Sequence, residues 1–143
     1  MIKTFRGNLA SSGTQRIRLS TNNGLTGYRI VKFQVFPSTP GSTSYENVVQ
    51  VYTEKPDEVT GTVTFDNPLL IASAYIEGNN ANNATDQFQV VFDHVKFNQD
   101  IYITNFDVDG DTEPINYYIE LEQMDLNLNE ATVATLKDMR GSQ

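Results

Sequence analysis

The chain has no cysteine, no tryptophan and a single histidine. Without cysteine there are no disulfide staples, no thiolate-held zinc or iron–sulfur centres and no thiol nucleophile. Neither a Gly-x-x-x-x-Gly-Lys loop nor a Gly-x-Gly-x-x-Gly fingerprint occurs, so nucleotide chemistry has no support. No stretch approaches the roughly 18 apolar residues of a membrane span. Met1-Ile2-Lys3-Thr4-Phe5-Arg6 also lacks a signal-peptide apolar core. These absences predict a protein made in the cytosol that does not enter a membrane. Acidic residues are missing from the first 45 positions, where Lys3, Arg6, Arg16, Arg18, Arg29 and Lys32 stand unopposed and carry +6. The remainder carries −14, for a net charge of −8 over 143 residues. Such polarity predicts that the basic segment meets an acidic surface, in its own fold or on a neighbouring copy. The overall acidic field argues against a nucleic-acid groove, since it would repel phosphates.

Val, Ile, Phe and Tyr dominate the apolar set, and these branched and aromatic side chains suit a pleated, half-buried surface. Helical periodicity is nearly absent before Met124. Short alternating runs separated by turn residues predict one all-β domain, an antiparallel β-sandwich or jelly roll over 1–125, followed by a short C-terminal helix or arm over 126–143. Ile17 and Leu19 alternate with Arg16 and Arg18. Asn22-Asn23-Gly24 then predicts a turn into a strand over 28–36, giving a hairpin. Further strands are expected at 48–52, 62–65, 69–76, 88–92 and 101–106, with Tyr117, Ile119 and Leu121 on one face of the last. Leu69-Leu70-Ile71-Ala72 reads as buried on both faces, and 78–83 as a polar loop tip. Asn83-Ala84-Thr85 fits a glycosylation sequon, which matters little in a chain without a secretion signal. Asn127 or Asn129 can cap a helix closed by Gly141, with Val133, Leu136 and Arg140 on its apolar side.

Several constellations invite a chemical reading. Asp107, Asp109, Asp111 and Glu113 resemble the start of a calcium loop, but Gly110 precedes the third acid instead of following it, so a charged hairpin turn is preferred. Glu120 and Glu122 share a strand face roughly 7 Å apart, near the spacing of paired glycosidase carboxylates. Arg16 and Arg18 have the same geometry, which makes an ion-pair ladder within or between subunits the better explanation. His94 has no serine elbow to serve and reads as a surface turn residue. The tyrosines read as core or interface positions before a sugar platform. No cofactor is called for. The expectation is a non-enzyme whose candidate interface residues are Arg16, Arg18, Glu120, Glu122, Val133 and Leu136.

Two segment groups look familiar together: Phe5-Arg6-Gly7 with Arg16-Ile17-Arg18-Leu19 and 27–33, and 116–122 running into 129–136. They resemble short, β-rich virion structural proteins of tailed bacteriophages, particularly marine ones. That resemblance implies a capsid-associated cement or decoration protein (a minor capsid protein). It would be made in the host cytoplasm, located in the virion, homo-oligomeric, and partnered by the major capsid protein or tail components. A tail, neck or fibre component is the alternative within that class, and a carbohydrate-binding module the alternative outside it.

Overall fold

A computed structural model of the chain describes residues 1–21, 23–41, 44–78, 85–110 and 112–141. Eight strands precede one helix: β1 (Ile2–Leu9), β2 (Gly13–Ile17), β3 (Thr26–Pro37), β4 (Tyr45–Tyr52), β5 (Leu70–Gly78), β6 (Thr85–Val91), β7 (Ile101–Asp107), β8 (Ile115–Asp125) and α1 (Leu128–Gly141). They form an all-β sandwich of two antiparallel sheets, β1-β8-β3 on one side and β2-β7-β4-β5-β6 on the other. The period-2 pattern explains the layering. Ile115, Tyr117, Ile119 and Leu121 turn inward from β8, and Ile30, Phe33 and Val35 from β3. They meet Val49 and Val51 of β4, Ala72, Ala74 and Ile76 of β5, and Ile101 and Ile103 of β7 in one core.

The hairpin expected across Asn22-Asn23-Gly24 does not form. β2 pairs with β7 and β3 with β8, so the segment between them passes from one sheet to the other. Buried Leu19 and the backbone N–H groups of Leu19 and Ser20, which Asp100 Oδ1 accepts at 2.7 and 2.9 Å, hold this crossing in place. Asn22 itself lies outside the described residues. A strand at 62–65 is also absent. Residues 53–69 form one long connection whose ends meet through a Thr53 N–H to Leu69 O bond. This compact Ω-shaped loop lies over the outer face of the five-stranded sheet, where Gln50 Nε2 donates to Thr62 O and Gly61 sits against Val108 and Phe106. That cover explains why residues 70–74 are buried on both faces.

The Asn127 side chain caps α1 by accepting the Glu130 N–H at 2.8 Å, while Glu130 Oε1 accepts the Asn127 N–H in return. Ala131 and Ala134 face the body of the protein beside Leu126, whereas Val133 and Leu136 point outward and are about half exposed. Asn98 pins the helix from below. Its Nδ2 lies within donating distance of Gly24 O, Ala131 O and Thr135 Oγ1.

Candidate interaction face

Cross-strand register sets the outer face of the five-stranded sheet. Phe106, Val48, Tyr75 and Phe88 form one row, and Thr104, Gln50, Ser73 and Val90 the next. The end of the row nearest β6 is the least covered. Residues 86–90 are exposed on both faces of the strand, which forms an edge of the five-stranded sheet. Phe88 stacks on Tyr75 at 6.4 Å between ring centroids, and Phe65 from the Ω-loop meets Phe92 edge-on at 5.3 Å. Val63, Phe65, Phe88, Val90 and Val108 remain 40–64% exposed on this one side. That concentration distinguishes the face from a surface with scattered apolar residues.

The same side is acidic. Glu46, Glu77 and Asp86 are register neighbours on the sheet. The Ω-loop adds Glu54, Asp57, Glu58 and Asp66, against Lys55 and the Arg16 of β2. The Tyr75 hydroxyl lies 3.0 Å from Glu46 Oε1 and 2.8 Å from Glu77 Oε2. Burial and these two carboxylates push the Tyr75 phenol well above its ordinary range, so it remains a donor that holds the acids near the aromatic rows.

The opposite side of the molecule carries a groove of about 720 Å³ lined by Arg6, Asn8, Asn116, Tyr118, Gln34, Phe36 and Gln87, among others. It lies over β1, β8 and β3, where Arg6 faces Tyr118 and Tyr118 faces Gln34. Gln87 joins it from β6 by donating to Val35 O at 3.1 Å. Among the described residues no carboxylate lines it. Among the described residues Arg6 takes part in no ion pair, and Phe36 is 63% exposed.

The candidate interface residues named from sequence fall in three places, one of them the exposed side of α1 with Val133 and Leu136. Arg16 lies on the edge strand β2, and its guanidinium pairs with Asp100. Arg18 follows it, exposed. Glu120 and Glu122 lie on the other sheet, where the Tyr118 hydroxyl donates to Glu120 at 2.6 Å and Arg29 pairs with Glu122 at 3.0 Å. Lys32 sits opposite Glu120 in register. Within one chain the arginine pair and the glutamate pair therefore do not meet. The Tyr118 phenol is raised, first by its bond to Glu120.

Asp107 is buried and anchors the turn after β7. Its Oδ1 accepts the Glu46 and Asp109 N–H groups and its Oδ2 the Glu113 N–H. Asp111 lies outside the described residues, as do 79–83 of the expected loop tip. Among the described residues no group of three or more acidic or histidine side chains converges as a metal set. His94 stands fully exposed, 3.6 Å from Asp93. Tyr28, Tyr45 and Tyr117 are core residues, while Tyr52 and Tyr102, opposite each other on β4 and β7, are half-buried.

Sequence reasoning missed Phe65, Phe88 and Phe36 as surface features and Asp100 as the partner of Arg16. For Phe65 a signal was present: Asp66-Asn67-Pro68 breaks the run directly after it, which marks a turn more than a strand end.

No family model matches the chain, and no curated protein matches it. Among solved structures it is similar to the Drosophila NLP core, described in terms of pentamer formation and histone binding. The two share 10% identity over 89% of this chain and 98% of that one, with a TM-score of 0.45. The expectation of a bacteriophage virion component is corrected here, for the capsid cement or decoration role as for the tail, neck or fibre role. The structure found to be similar is of a histone-binding protein and not of a virion protein. The segments that suggested a virion protein are alternating strands and a capped helix, which any β-sandwich with a terminal helix shares. The capsid and tail partners and the carbohydrate-module alternative go no further with it.

Proposed function

We propose that this chain is a non-catalytic association module that binds protein, copies of itself included, through the acidic, aromatic-bearing face of its five-stranded sheet. The observation that carries this reading is the set Val63, Phe65, Phe88, Val90 and Val108, exposed together on one side and flanked by carboxylates. Exposed apolar groups gathered in this way gain free energy when a partner removes them from water, and a surrounding charged rim sets which partner and in what orientation. A binding role also agrees with how the candidate catalytic groups are engaged. Glu120 and Glu122 are held by Tyr118 and Arg29 on an open sheet face, and His94 projects into solvent.

The test is sedimentation of the purified chain over a range of concentrations, beside the double variant Phe65→Ser, Phe88→Ser. Both side chains are exposed, so circular dichroism should show the variant folded. Wild type is expected to sediment above the 16.0 kDa monomer, and the variant as a monomer. Wild type and variant with indistinguishable distributions would overturn the reading.

A further inference from the structure

The two faces of the molecule are unlike in a complementary way. The Ω-loop presents Val63, Phe65 and Asp66 at an exposed tip, residues 62–66 all being solvent-facing. On the opposite sheet, the groove offers the aromatic side chains Phe36 and Tyr118 for contact. Its amides can meet an extended backbone, and among the described residues its one charged group is Arg6. We infer that the loop tip of one copy seats in this groove of the next, with Phe65 against Phe36 and Tyr118 and Asp66 toward Arg6. The occupant is thus a second copy of this chain. Charge complementarity selects it: among the described residues no carboxylate lines the groove, Glu120 meeting only its Tyr118 hydroxyl, and Arg6 stands outside any ion pair, whereas the loop is acidic. The contact is heterologous. One surface meets a different surface, so each copy can bind two neighbours, and repetition gives a closed ring or an extended row.

This inference rests on the proposed association function, and the experiment separates the two. A groove variant, Arg6→Glu with Phe36→Ser, and a loop variant, Phe65→Asp, are each purified and then mixed, and mass is read by light scattering after size separation. All three positions are exposed, and circular dichroism checks folding. Each variant alone is expected to lose self-association by at least tenfold. The mixture, retaining one intact loop and one intact groove, is expected to give a dimer of one copy of each that grows no further. A mixture that stays monomeric would overturn the loop-in-groove contact. If the loop variant lost association while the groove variant kept it, the groove would be wrong and the proposed function would stand. If both variants associated like wild type, both readings would fall.

Discussion

Asp100 joins three parts of the chain through one carboxylate. One oxygen accepts the Leu19 and Ser20 N–H groups where the chain passes between sheets, and the other receives the Arg16 guanidinium. Burial opposes its ionisation, but the backbone N–H groups of Ser20 and Leu19 together with Arg16 outweigh that and hold it at about 2, below the ordinary 3.8. A depressed folded-state value means that the stabilisation is complete above about pH 4 and is lost as the pH falls toward 2. Its size is on the order of 2 kcal/mol. Asp100→Ala should therefore destabilise the protein by about 2–4 kcal/mol at neutral pH, since it also leaves two backbone donors buried without a partner. Urea unfolding at pH 7 and near pH 2 provides the check. The difference between variant and wild type should shrink at the lower pH, and an unchanged gap would assign the effect to packing alone.

The elements show how far the sequence was legible. Strand existence and facing were readable wherever alternation is local: Tyr117, Ile119 and Leu121 do line the inner face of β8, and of Phe88, Val90 and Phe92, which alternate as one strand face, the first two share the outer face of β6 while Phe92 lies just past its end. Pairing was not readable. Asn22-Asn23-Gly24 has hairpin chemistry, yet the strands on either side join different sheets, because the decisive partner, Asp100, lies some 80 residues away. The Ω-loop was hidden for a similar reason. Val63 and Phe65 alternate like strand residues, and only the closure of Thr53 on Leu69 shows that the segment lies over a sheet instead of joining one. The candidate site was less legible than the fold. An exposed aromatic and a core aromatic look alike in sequence, and only the pairing shows that Phe88 lies on the outer face of an edge strand, turned away from the other sheet.

Helix α1 was anticipated, and its capping residue was narrowed to two. The packed face differs from the anticipated one: Ala131 and Ala134 are buried, whereas Val133 and Leu136 are about half exposed. Glu130, which completes the cap, is lowered by its bond to Lys96 and by the Asn127 N–H. Asn127→Ala should cost about 1 kcal/mol. The loss should appear in the helical ellipticity before the sheet signal changes, and simultaneous loss of both would show that helix and sandwich unfold as one unit.

At the scale of the whole molecule, the charge split of the sequence is only partly consumed within the fold. Arg16 and Arg29 find carboxylates in the same chain, and Lys3 lies over the Tyr28 ring. Association between copies should therefore weaken with salt without vanishing, since ionic contacts are screened beyond about 3 Å at 1 M salt while apolar contacts are not. Sedimentation in dilute buffer and at high salt measures this. Association unaffected by salt would leave Arg6 and Asp66 without a part in it.

The order of strands in the smaller sheet also sets a timetable. β1 and β3 each pair with β8, more than 75 residues further along the chain, and not with each other. Until β8 is available, the basic opening third of the chain has no ladder partner in that sheet, whereas β4, β5 and β6 follow one another and can zip locally. Closing such long loops is slow, in the range of milliseconds to seconds for sheet proteins of high contact order. Pulse-labelled hydrogen exchange during refolding should find amides of β4 and β5 protected first and those of β1 and β3 last and together. On the ribosome, β1 and β3 must wait without their ladder partner until β8 has been made.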